Sequence, residues 1–145
     1  MADAMREFMA RAVLFQEAVA RSVGLNSSDL QAVSLLMSEG PASPSELSER
    51  IGMSQGGAIT GLIDRLERAG YVSRQRDEHD RRRVLVVADQ AKVIADVGDI
   101  YGRVAERWNA YLSTLSEDEV ALATRVIAAA AEMNRVEIER LRSES

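Results

Sequence analysis

The sequence predicts a mainly α-helical chain interrupted by one short β-hairpin, and three observations carry that reading. Apolar residues recur at steps of three and four over most of its 145 residues, which is the helical period. Between Tyr71 and Asp89 the pattern changes to two short β-type runs, "YVSRQR" and "RVLVVAD", joined by the charged "DEHDRR". Helix-starting and helix-stopping residues stand where the apolar stripes begin and end. A chain of this length is near the commonest domain size and can bury a core of its own.

Each element follows in order. Residues 4–23 place Phe8, Ala12, Phe15 and Val19 on one stripe, an amphipathic helix. A second helix starts in the capping cluster before Leu30, runs through Val33 and Met37, and stops at Gly40-Pro41. "SPSELSERIG" predicts a compact third helix. Ser43 is its cap, Pro44 its first residue, Glu46 the partner in a capping box and Gly52 its end. "SQGGAITGLIDRLERAGY" predicts a fourth over 54–69, burying Ile59, Leu62, Ile63 and Leu66 and ending at Gly70. The hairpin follows, without a tight Asn-Gly turn. Asp89 then caps a long helix with Val93, Val97, Ile100, Val104, Trp108 and Tyr111 along one side. Ser116 and Glu119 form a second capping box, and the last helix reaches about Leu141. Helices 4–23 and 116–141 carry more apolar positions than one small lobe can bury, and the stripe at 93–115 calls for a partner.

Composition removes several kinds of chemistry. There is no cysteine, so disulfides, thiolate catalysis, thiol redox sensing and Cys-ligated zinc are excluded. His79 is the single histidine, a poor basis for a metal site, and it reads as an exposed loop residue. There is no phosphate-binding loop or metal-ligand spacing, so no catalytic residues and no cofactor are expected. No window approaches a membrane span, and the chain reads as cytoplasmic.

Net charge is −5, yet charge is uneven. Residues 1–53 carry 4 basic and 7 acidic side chains, residues 84–145 carry 7 and 11, and residues 54–83 carry 7 arginines against 5 acids. A basic island in an acidic chain suggests a directed contact with an anion. Two short helices across a Gly-containing turn, followed by a charged hairpin, describe a helix-turn-helix with a wing. The helix at 43–51 would cross a DNA backbone and that at 54–69 would enter the major groove. At 100° per residue, Gly57, Gly61 and Asp64 lie opposite the buried stripe, flanked by Ser54, Thr60 and Arg65. The bare glycines would let the helix sit deep, with its N-terminal N–H groups toward phosphate. At the hairpin tip, Arg81, Arg82 and Arg83 would reach phosphates and the adjacent minor groove. Glu78 and Asp80 make sense as partners that hold arginines in a fixed pose. The candidate DNA-facing set is therefore Ser43, Ser54, Gln55, Gly56, Gly57, Thr60, Gly61, Arg65, Arg74, Arg76, Asp80, Arg81, Arg82 and Arg83. A winged-helix protein-interaction module is the competing reading, separable by the salt dependence of duplex binding.

The stretch "ELSERIGMSQGGAITGLIDRLERAGYVSRQRDEHDRRRVLVV", above all "DRLERAGYV" and "R…DRR.V.V", resembles the core of the multiple-antibiotic-resistance regulator (MarR) family of bacterial transcription factors. In that family an aspartate is followed, two residues on, by a wing arginine that enters the minor groove, and the matching residues here are Asp80 and Arg82. The resemblance covers essentially the whole chain and implies one domain, 1–145. Its winged lobe would be 24–89, with dimerisation helices at 1–23 and 90–145. It further implies a homodimer with interlocked first and last helices, and a repressor on a pseudo-palindromic DNA operator. Release would be by a small aromatic or amphipathic effector. Candidate effector-binding residues are Phe8, Arg11, Phe15, Met37, Tyr101 and Trp108, each of which is otherwise ordinary core or dimer packing. The alternative is a constitutive regulator without a ligand. The sequence departs from the family pattern in three places. Asp89 stands where a threonine usually ends the wing strand, Gly61 stands where a basic residue is frequent, and the Gly56-Gly57 pair is unusual. The base contacts are thereby left open.

Overall fold

A computed structural model describes residues 1–53, 56–78 and 80–144. They form two compact units, Met1–Ile100 and Tyr101–Ser145. The first holds α1 (Ala2–Ser22), α2 (Ser27–Glu39), α3 (Pro44–Ile51), α4 (Gly57–Arg68), β1 (Val72–Arg76) and β2 (Val84–Ala88). It also holds the start of α5 (Gln90–Leu112); the end of α5 and all of α6 (Glu117–Ser143) belong to the second. The fold is mainly helical with one antiparallel hairpin, as the sequence predicts.

The caps explain the helix boundaries. The Asn26 side chain accepts from the Asp29 N–H at 2.8 Å and starts α2. Ser43 and Glu46 form the expected reciprocal box at α3, and Ser116 and Glu119 repeat it at α6. Asp89 accepts from the Lys92 N–H at 2.9 Å, as expected of the residue before α5. Gly52 ends α3 with φ +73° and Gly70 follows α4 with φ +81°, a left-handed geometry that a Cβ disfavours. α4 starts at Gly57 with Gly56 as its cap, while Ser54 and Gln55 lie outside the described residues. α6 runs two residues past the expected Leu141.

Within the first unit the core forms where the stripes converge. Leu30, Val33 and Leu36 of α2 join Leu47 of α3, Ile59, Leu62, Ile63 and Leu66 of α4, and Val72 and Val86 of the hairpin. Val93 and Val97 of α5 are also buried. The hairpin pairs Val72 with Ala88 and Arg76 with Val84. Val86 is held from its other side by Ala42, whose N–H and C=O both bond to it, at 3.2 and 2.7 Å. That bridge ties the α2–α3 turn to the wing, and a single residue carries no β pattern by which a sequence could reveal it.

The first unit also leaves apolar side chains uncovered on α1: Phe8, Met9, Val13 and Leu14. In the second unit no described residue is buried, and Leu122, Val126, Ile127, Met133, Val136 and Leu141 stand exposed along α6. No described helix is long and apolar enough to cross a membrane. Among the described residues there is no cluster of His, Asp and Glu suited to a metal.

Candidate nucleic-acid interface

α4 presents its outer face because its inner one is apolar. With Ile59, Leu62, Ile63 and Leu66 buried, Gly57, Thr60, Asp64, Arg65 and Arg68 are left exposed and Gly61 half-buried. Arg68 was absent from the sequence-derived candidates, although it lies one turn beyond Asp64 on the same outward face. Gly56 and Gly57 are open, with nothing that an added Cβ would touch.

The arginines fall into two groups. Arg65, Arg74 and Arg83 are engaged by carboxylates of other elements. Arg65 donates from Nε to Asp29 Oδ2 at 3.2 Å and from Nη2 to Asp29 Oδ1 at 2.7 Å, joining α4 to α2. Arg74 on β1 donates to Asp64 and Glu67, both on α4. Arg83, at the root of β2, donates to Glu46 on α3 and lies 3.9 Å from Asp77. In each case the carboxylate partner holds the guanidinium proton more firmly than usual. The Glu46 carboxyl is pulled down from 4.5 to about 2, chiefly by the Ser43 backbone N–H and next by Arg83.

The second group is the wing tip. Arg81 and Arg82 are exposed, and their side chains pair with no described residue. Arg76 is also exposed and donates at 3.3 Å to the Arg81 carbonyl. Asp80 Oδ1 accepts from the Arg82 backbone N–H at 3.0 Å, and the Arg83 N–H donates to the Asp80 carbonyl at 2.9 Å. Both bonds shape the turn.

This corrects one expectation. Glu78 and Asp80 form no ion pair with an arginine among the described residues; the arginines are held by Asp29, Glu46, Asp64 and Glu67 instead. The reason is reach. Within the seven residues between the strands, Asp80 bonds to the local backbone rather than to a neighbouring long side chain, whereas an acid on a packed helix is already fixed in place. Asp29 could have been noticed, because it interrupts an otherwise apolar face of α2 and its side chain is only 4% exposed. Such a carboxylate requires a partner.

The remaining candidates are placed as follows. Ser43 is half-buried with its Oγ engaged by the Glu46 N–H, so its first role is capping. Ser54, Gln55 and His79 lie outside the described residues. Of the effector candidates, Phe8, Arg11, Phe15 and Met37 belong to the first unit and Tyr101 and Trp108 to the second. A concavity of about 430 Å³ between α1 and α2 is lined by Ala12, Val13, Gln16, Gln31 and Ser34 among others, and by none of those six. Another, of about 400 Å³ on α5, includes Trp108 beside Val104, Arg107 and Tyr111. The Trp108 and Tyr111 rings meet edge-on at 6.5 Å.

Comparison with known proteins meets this geometry from outside. The family model described as MarR family matches residues 25–84, the segment from the start of α2 to the start of β2. An uncharacterised HTH-type transcriptional regulator of Bacillus subtilis, YcgE, is 36% identical over 94% of this chain and 88% of its own length. The chain belongs to the MarR family. MarR-family proteins are DNA-binding transcriptional regulators, not enzymes. The crystal structure of YusO from Bacillus subtilis is similar with a TM-score of 0.56 and 27% identity, covering 91% of this chain and 94% of that one. NadR, solved in complex with 4-hydroxyphenylacetate, shares the fold at a TM-score of 0.59 and 23% identity, covering 88% and 90%.

Proposed function

We propose that this MarR-family regulator is a repressor that binds a pseudo-palindromic duplex operator as a homodimer, and that a small aromatic acid releases it. The observation that carries the DNA mode is the division of the arginines. Those at the wing root are neutralised by acids, while Arg81 and Arg82 at the tip pair with no acid among the described residues, in a chain of net charge −5. A cation presented this way on a hairpin suits the negative potential of a minor groove, and α4 suits the adjoining major groove. Backbone contacts would come from Arg76 and Arg81, with Gly56 and Gly57 letting the helix N-terminus approach phosphate.

Dimerisation is supported by the uncovered apolar residues of α1 and of α6, more than a soluble monomer ordinarily leaves in contact with water. Two recognition helices then address major grooves about one turn apart, so half-sites should lie about 10 bp apart centre to centre. Footprinting together with sedimentation tests this. A monomer at micromolar concentration, or protection of a single half-site, overturns it.

The effector is drawn from the neighbour NadR and its bound 4-hydroxyphenylacetate. A ligand can act only through its differential affinity for the DNA-competent state. Salicylate at millimolar concentration is expected to quench Trp108 fluorescence and weaken operator binding. A panel of aromatic acids that changes neither signal leaves a constitutive regulator controlled by its own abundance.

A further inference from the structure

α4 carries an arginine that is both fixed and half in water. Arg65 is 48% exposed, yet two of its N–H groups are taken by Asp29, a carboxylate only 4% exposed. The bond uses the Nε–Nη2 edge of the guanidinium. Of the five N–H groups of an arginine, this leaves both on Nη1 and one on Nη2. One on each Nη forms the end-on edge, the second Nη1–H points back toward Cδ, and Arg65 makes no other bond to a described residue.

Where that edge lies is set by the helix. Long side chains on a helix lean toward its N-terminus, over the residue four positions earlier. Here that residue is Gly61, on the outward face. A Cβ added at Gly61 would come within 3.8 Å of Arg65 Nη1, with no other contact. The guanidinium therefore lies beside bare backbone, at the part of α4 turned away from the core. A longer side chain at 61 would compete for the same space.

Its charge is already compensated. Asp29 and Arg65 together are neutral, so the pair offers phosphate little net attraction. What it offers is direction: a planar, clamped pair of donors. The end-on donor pair of an arginine matches the O6 and N7 acceptors of guanine in the major groove, a pattern no other base presents there. Clamping lowers the rotamer entropy lost on binding.

We propose that Arg65 is the guanine-reading residue of α4, and that Asp29 on α2 is the positioning residue that holds its guanidinium in the reading pose. This rests on the DNA-regulator reading above and specifies how that interface discriminates sequence.

The test begins with selection of duplexes from a random pool by the full-length parent, followed by competition binding against every single-base change in a half-site. The parent should disfavour loss of one guanine by about ten- to a hundredfold, the range of a good bidentate base contact. Arg65→Lys keeps a cation for Asp29 but has no planar fork, so discrimination at that one pair should fall to within about threefold. Other positions and the salt slope should be unchanged. Arg65→Gln should act likewise. Asp29→Asn, provided its melting shows it folded, should lower discrimination at the same pair and no other. Uniform weakening on all sequences, a salt slope reduced by about one, or an unaltered base spectrum would each overturn the proposal and leave Arg65 a phosphate contact or a structural tie. Failure of the parent to select any duplex would instead overturn the regulator reading, and this assignment with it.

Discussion

Residues 25–97 close around side chains with no exposure at all, Leu47, Leu62, Ile63 and Leu66 among them, whereas no described residue from 101 to 144 is buried. The amino-acid patterns of the two regions look alike. Ile59, Leu62, Ile63 and Leu66 on α4 follow helical spacing, and so do Leu122, Val126, Met133 and Val136 on α6. The difference is whether the chain itself supplies the opposing face. α4 meets α2, α3 and β1, while α6 presents an equivalent stripe to water. An apolar stripe thus states that a helix packs, and leaves open against whose atoms.

The largest effect expected from that contrast separates folding from association. Leu62→Ala removes buried methyl groups from a closed core and should cost about 2–5 kcal/mol at any protein concentration, measured by denaturant unfolding. Ile127, 56% exposed, should behave differently. Ile127→Asp is expected to leave the far-ultraviolet dichroism of the lobe intact and to shift sedimentation from dimer to monomer at micromolar concentration. If Ile127→Asp stayed dimeric, α6 would not be the covered surface.

A second contrast runs through the arginines of the lobe itself. Arg82, at the tip, pairs with no acid among the described residues, so Arg82→Ala should weaken operator binding by about 1–3 kcal/mol with the melting temperature unchanged. Equal affinity in the variant and the parent would remove the wing from the interface.

A smaller and sharper difference is expected between Arg81 and Arg74. Both were assigned from sequence to the DNA-facing set, but Arg74 is bound by Asp64 and Glu67. Arg81→Ala should lower the slope of log K against log salt by about one, as for a single lost phosphate contact. Arg74→Ala should leave the slope where it is and loosen β1 from α4, seen as faster amide exchange at Val72 and Gln75. A slope change in Arg74→Ala would mean that DNA takes Arg74 away from its acids.

These pairs also mark what was legible in the sequence. Helix order, both capping boxes, the hairpin and the wing position follow from local signals a few residues apart. Ser43 with Glu46 is one of them, and the structure reproduces it. The bonds Arg65–Asp29 and Arg83–Glu46 span 36 and 37 residues, and no local pattern links their ends. The Ala42–Val86 bridge is hidden for the same reason. Glu46 is instructive because both kinds of information meet on it: the sequence reveals its cap role through Oε2, and only the fold reveals that Oε1 takes Arg83 from the wing.

That double engagement gives the smallest of the predicted effects, and it depends on pH. The Ser43 N–H donates to Glu46 Oε2 at 2.8 Å, and with Arg83 it holds the carboxyl near 2 in the folded chain against 4.5 for an ordinary glutamate. A depressed folded value means that the unfolded chain takes up the proton first as pH falls. The contribution of Glu46 is therefore present above about 4.5 and is lost between there and about 2. Its side chain is 41% exposed, so water screens the Arg83 bond. The whole contribution should then stay below the roughly 1 kcal/mol usual for a cap. The gap in melting temperature between the parent and Glu46→Gln should be present at pH 6 and narrow steadily toward pH 3. Other acids with lowered values, Asp96, Glu119 and Glu132, titrate in both proteins and cancel in the difference. No gap at any pH in that range would show that the box needs only a hydrogen-bond acceptor at position 46. The tie from α3 to the wing would then owe nothing to charge.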